Sequence, residues 1–167
     1  MIETIKELNI LKKKGLIRNY AIGGGYALNY YIEPTLTYDL DVFILIDTDR
    51  DYFNLYNYFR IRKYKIRNVY VVINELPVQF LPSYINPLIE EAIRKAKRIK
   101  IKEVNTKVLT IEYLIATLLM AFRPKDRMVI PSLLKLANKR LLNNILKRFS
   151  NEKTPLDKRF QKILASI

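Results

Sequence analysis

Among its 167 residues the chain has no histidine, no cysteine and no tryptophan. It therefore has no thiolate nucleophile, no Ser-His-Asp triad, no zinc finger and no histidine-ligated metal site. Chemistry is left to carboxylates, amides, hydroxyls, lysine, arginine and the backbone. A side-chain metal site would be built from oxygen, which selects hard cations such as magnesium or manganese. No apolar run reaches the roughly 18 to 20 residues that span a bilayer. The N-terminal segment is charged and lacks a signal peptide's apolar stretch, so a cytoplasmic protein with no membrane partner is expected. Glycine is scarce as well: there are 4, and three of them are consecutive, at positions 23 to 25.

What is present describes a folded chain. Half the residues are hydrophobic and 28% are charged, enough apolar surface for one sizeable core and too much for a disordered polyelectrolyte. The formal charge of +14 is uneven: the first 92 residues carry 11 basic and 11 acidic side chains, the next 30 carry 7 and 2, and the last 45 carry 12 and 3. The whole excess lies in the C-terminal 75 residues. Such an asymmetry points to a polyanion such as RNA as partner, the alternative being a solvated basic surface.

Periodicity outlines the elements. Ile2, Ile5 and Leu8 make one face of a helix that Gly15 stops. Tyr20 to Ile22 is a short apolar stretch before the glycines, and residues 26 to 31 read as a helix that ends before Pro34. Asp39 to Ile46 is the clearest strand, its run from Val42 to Ile46 apolar throughout, as in a strand buried on both faces. A helix is predicted over 51 to 64, with Tyr52, Tyr56 and Phe59 at helical spacing as packing residues in preference to base-stacking ones. Strands follow at 69 to 73 and 78 to 81, joined by a turn at 74 to 77. A helix is predicted at 86 to 97 and a strand or strand pair at 99 to 109. Helices follow at 110 to 122, 125 to 137, 139 to 149 and 156 to 166, with Thr110 as an N-cap and Pro124 and Pro155 in first turns. The expected fold class is α+β: a small mixed sheet flanked by helices over residues 1 to 109, with a basic helical region over 110 to 167 packed on it.

Two motifs carry chemistry. Gly23, Gly24 and Gly25 stand at a strand-to-helix turn, where the backbone can approach a ligand and aim helix amides at a phosphate; a tight turn alone would explain them too. Thr37-Tyr38-Asp39-Leu40-Asp41 runs into the buried strand. Residues two apart share a face, so Asp39 and Asp41 project together with Cα atoms about 6 to 7 Å apart. Two such carboxylates either hold a cation such as magnesium or are solvated at the strand's entrance.

Together, Ile22-Gly23-Gly24-Gly25-Tyr26-Ala27 and Thr37-Tyr38-Asp39-Leu40-Asp41 resemble the signature of the nucleotidyltransferase superfamily, the fold shared with DNA polymerase beta. Residues 113 to 127, YLIATLLMAFRPKDR, are similar to the helical region of the AbiEii-type toxin branch. The resemblance implies that Gly23, Gly24, Gly25, Thr37 and Lys125 bind a nucleoside triphosphate. It implies that Asp39 and Asp41 hold Mg2+ or Mn2+, and that a nucleoside monophosphate passes to a hydroxyl of an RNA (tRNA-like) or protein acceptor. A toxin of this branch would have an antitoxin as partner. Four positions depart from the pattern. Gln79 stands where a third carboxylate is usual, and an amide ligates weakly and is no base. Thr35 follows Pro34 where a basic residue is common, Leu118 replaces a lysine, and Val129 lies where an aspartate is expected. They favour the alternative, a catalytically degenerate relative that binds RNA or protein.

The lesser candidates are basic. Arg123, Lys125 and Arg127 flank a helix start and suit a triphosphate or an RNA backbone, or form a plain exposed turn. Asp126 fits a first-turn acid facing the helix dipole better than a metal ligand. Arg94, Lys95, Lys97 and Arg98, continued by Lys100 and Lys102, form either an RNA-facing strip or a solvated edge.

Overall fold

The computed structural model describes all 167 residues. The helices and strands, in chain order, are α1 (Ile2–Lys13), β1 (Asn19–Ile22), α2 (Gly24–Tyr31), β2 (Leu40–Leu45), α3 (Asp49–Ile61), β3 (Ile66–Arg67), β4 (Tyr70–Ile73) and β5 (Leu76–Pro82). Then come α4 (Pro87–Arg94), β6 (Lys97–Ile101), β7 (Val104–Val108), α5 (Ile111–Ala121), α6 (Pro124–Leu134), α7 (Lys139–Phe149) and α8 (Leu156–Ala165). The strands form a seven-stranded sheet in the order β3-β4-β5-β2-β1-β7-β6. It is mixed: β2 runs parallel to β5 and antiparallel to β1, and β1 runs parallel to β7.

The apolar run of β2 explains its central place. Phe43 and Leu45 enter the core that α2 and α4 to α8 build on one face, while Leu40, Val42 and Ile44 enter the core that α1 and α3 build on the other. From Val42 to Leu45, where both faces are covered, the strand is apolar at every position, and its one polar residue, Asp41, lies near its start. The Thr48 hydroxyl accepts from the Asp51 amide at 3.2 Å and Asp51 accepts from the Thr48 amide at 3.1 Å, a capping box that starts α3 two residues earlier than periodicity predicts. Tyr56 and Phe59 are buried, the Phe59 ring stacked on Phe80 at 5.7 Å, and the Tyr52 hydroxyl donates to the Phe80 carbonyl at 3.0 Å. These aromatics are packing residues.

Several boundaries differ from the expectation for physical reasons. The helix predicted over 86 to 97 ends at Arg94, and Lys97 opens β6, whose lysines and arginine hide a strand's alternation. Asn74-Glu75 and Lys102-Glu103 are two-residue turns in the left-handed region, with φ between 45° and 69°, the backbone that a tight hairpin between twisted strands requires. The expected four-residue turn at 74 to 77 is therefore shorter, with Leu76 and Pro77 already in β5. Thr110 occupies the N-cap of α5 but its hydroxyl makes no capping bond, and Pro155 is the N-cap of α8, one place before the first turn.

Part of the basic excess serves the fold. The Arg148 guanidinium donates to both Glu91 oxygens, at 2.9 and 2.7 Å, tying α7 to α4, and Arg159 donates to the Leu119 and Met120 carbonyls at the end of α5. Arg94 pairs with Glu90 at 2.9 Å.

Candidate functional site

The glycine turn joins β1 to α2, and the Gly23 amide donates to the Asp41 carbonyl at 2.9 Å, bringing the start of α2 against β2. Only Gly24 of the three has a left-handed backbone, at φ 55°. A methyl group there would overlap the Asp41 carboxylate, its position lying 2.8 Å from Cγ. One at Gly25 would lie 2.6 Å from the Thr37 hydroxyl, and one at Gly23 would strike the Phe43 ring. The missing side chains are thus the space in which Asp41 and Thr37 sit.

Asp39 lies one residue ahead of β2 and Asp41 within it, and both line a cleft of about 270 Å³ with Gly24, Gly25, Thr37 and Lys125. Asp41 makes no hydrogen bond or ion pair with another side chain or a backbone amide, and Asp39 has the Tyr70 phenol beside it as a hydrogen-bond donor. Burial first, and the Asp39 charge second, push the Asp41 carboxyl up to about 6 against the pull of Arg123 and Lys125. Gln79 is the register partner of Asp41 in the parallel β2–β5 pair and lines an adjoining recess of about 210 Å³ that shares Gly24 and Asp41 with the cleft. Leu118 and Val129 present apolar walls where lysine and aspartate were expected.

The structure sorts the remaining candidates. Arg123 lines the cleft, but its guanidinium holds the buried Asp126 at 2.8 and 3.2 Å, and Asp126 in turn accepts from the Arg123 amide at 3.0 Å. Asp126 is thus the first-turn acid that caps α6. Arg127 lies over the Phe122 ring at 5.0 Å, away from the cleft lining. Arg94, Lys95, Lys97 and Arg98 do not reach the cleft. Nor do they form one strip, because Arg94 and Lys95 end a helix while Lys97 and Arg98 are neighbours on a strand, where successive side chains face opposite ways.

Two positioning residues escape a sequence reading. Asn29 of α2 accepts from the Thr35 amide at 2.8 Å and donates to its carbonyl at 2.9 Å, anchoring the loop that carries Thr37 and Asp39. Thr35 therefore fixes the loop in the place where a basic residue is common. Tyr70 is paired with Gln79 across β4–β5, and burial followed by the charges of Asp39 and Asp41 pushes its phenol above the ordinary value. Only the hairpin register reveals it. Leu36, Tyr38 and Met128 flank the glycine and aspartate motifs at 79, 75 and 80% exposure, an apolar rim on a polar floor.

No protein-family model matches the chain, and no curated protein matches it by sequence. Its architecture has solved counterparts. An antigenic nucleotidyltransferase-like protein from Paracoccidioides brasiliensis superposes with a TM-score of 0.60 over 95% of this chain and 90% of that one, at 14% identity. The fold is nucleotidyltransferase-like. ANT(2")-Ia, solved in complex with adenylyl-2"-tobramycin, superposes with a TM-score of 0.51 over 87% of this chain and 96% of that one, at 11% identity. At these identities the likeness is one of fold. In this nucleotidyltransferase-like fold no group of three or more carboxylates gathers as a metal site, and no helix is long and apolar enough to cross a membrane.

Proposed function

We propose that the chain is a metal-dependent nucleotidyltransferase that passes a nucleoside monophosphate from a triphosphate to a hydroxyl of an RNA acceptor. The observation that carries this reading is the seating of the Asp41 carboxylate, beside that of Asp39, in the space that Gly24 leaves open. Two adjacent carboxylates outside any ion pair, one of them resisting ionisation, are a donor set that fits a hard cation with the rest of its shell from water and phosphate oxygens. Asp39 and Asp41 would hold it. When bound, magnesium supplies charge neutralisation on the triphosphate.

The chain's own residues do the positioning. The amides at the start of α2 face the phosphates, Lys125 adds a cation, and Thr37 and Gln79 line the floor. The acceptor oxygen attacks the α-phosphorus in line, the bond to the β-phosphate oxygen breaks, pyrophosphate leaves with the electron pair, and the hydroxyl proton goes to solvent, since the Gln79 amide is no base. That a protein of this fold was solved with an adenylylated compound is in keeping with such a site. The basic C-terminal 75 residues favour RNA over protein as acceptor. The proposal extends to an AbiEii-type toxin with an antitoxin partner.

A second reading rests on Gln79. With an amide as the register partner of Asp41, the chain would bind RNA or protein without catalysis. Thermal stabilisation by each of the four nucleoside triphosphates, with calcium or magnesium, separates the two. The enzyme reading expects a shift with at least one nucleotide that needs the metal and both aspartates, because a ligand of the native state raises stability with its affinity. No shift with any of them favours the binding module.

A further inference from the structure

We propose that a second cleft, between α1, β1 and the β6–β7 hairpin, is a phosphate-binding site independent of the Asp39/Asp41 cleft, and that it takes either the phosphodiester backbone of a nucleic acid or a free phosphate compound. The cleft encloses about 310 Å³, at the lower end of the range for small-ligand sites. It shares no lining residue with the Asp39/Asp41 cleft. Asn19 opens β1 while Ile22 leads into the glycine turn, so the two sites stand at opposite ends of that strand.

Three cations from three elements converge here: Lys12 of α1, Arg98 of β6 and Lys107 of β7, with no carboxylate in the lining and no ion pair to any of them. Arg98 and Lys107 are register partners across the antiparallel pair. Like charges directly opposite in a sheet destabilise it, and a bound anion removes the penalty. Burial, then Lys12 and Arg98, hold the Lys107 ammonium below its ordinary value, in agreement with crowded positive charge.

The polar groups around the cations are already positioned. The Lys107 ammonium donates to the Asn19 side chain at 3.1 Å, the Asn9 amide donates to the Asn105 carbonyl at 2.9 Å, and the Tyr20 hydroxyl bridges Asn9 at 2.8 Å and Thr106 at 2.9 Å. Lysines that merely guard an edge strand against pairing would account for Lys97 and Lys100 of β6. They do not account for Lys107, whose strand is interior to the sheet, or for Lys12 on a helix.

The test is made in buffer with a chelator, so that the Asp39/Asp41 cleft has no metal, on the wild type, on Lys12→Gln/Arg98→Gln and on Lys107→Met. Both Lys12 and Arg98 are exposed, so the double variant keeps its core. The probes are inorganic pyrophosphate, read by thermal shift, and a single-stranded RNA 12-mer, read by anisotropy across a salt series. If the ligand is a backbone, the double variant binds RNA about tenfold more weakly and its log–log salt slope is shallower by about 1.4, two contacts at roughly 0.7 each. If the ligand is a free phosphate compound, pyrophosphate raises the melting temperature of the wild type and of neither variant. Variants that respond to both probes as the wild type does, or a wild type that responds to neither, overturn the proposal.

Discussion

Asp41→Asn is expected to stabilise the metal-free protein above pH 6 while abolishing metal-dependent nucleotide binding. The Asp41 carboxyl rises from an ordinary value of 3.8 to about 6 in the folded chain. Between those values the native state keeps a proton that the unfolded chain has released. This residue's contribution to stability therefore falls as pH rises from about 4 to about 6, and stays low above that. At about pH 3 and below, both states are largely protonated and the penalty vanishes. A shift of roughly two units sets a ceiling of about 3 kcal/mol, and for a chain of this size a gain of even half that raises the melting temperature by several degrees. Thermal melts at pH 3 and pH 8 check it: near-equal melting at pH 3 and a more stable variant at pH 8. A solvated carboxylate would give no difference at either pH, and a structural one would give a loss.

Gly24→Ala is expected to lower transfer at least about 100-fold while leaving a folded protein. A left-handed backbone at a non-glycine residue costs roughly 1 to 2 kcal/mol, which a domain with two cores can bear. The larger effect is steric. The new methyl overlaps the Asp41 carboxylate, and displacing a reacting group by about 1 Å is enough for a loss of that size. Gly25→Ala meets the Thr37 hydroxyl, which can rotate away, and is expected to cost less. Gly15→Ala is the control: φ there is 76° but nothing lies within 4 Å, so stability falls and transfer does not. Circular dichroism with initial rates on the three variants checks the order.

These effects trace to features that local sequence makes visible. A glycine run, a D-x-D step and an apolar strand each depend on neighbours a few residues apart, so the turn, the aspartates and the central strand could be read from the chain. Gln79 was legible only through the resemblance, which puts a later strand's acid at that place; the β2–β5 register then sets it opposite Asp41. What escaped depends on partners far apart in sequence or on compact turns. Tyr70 comes to Gln79 only through hairpin register, and Asn29 meets Thr35 only when the loop folds back. The start of β6 is disguised by the lysine and arginine of an edge strand, although the strand pair itself was expected from residue 99, and two-residue β3 has no period to detect. Arg123 looked free for a phosphate until Asp126, buried three residues on, proved to hold it.

The most direct measurement is transfer of label from each α-labelled nucleoside triphosphate into total RNA and total protein, with magnesium or manganese, by the wild type and by Asp39→Ala/Asp41→Ala. Labelled RNA that requires both aspartates is the predicted result. Absence of label from both pools with folded wild-type protein, or label that survives loss of both aspartates, would contradict the assignment of this cleft to nucleotidyl transfer.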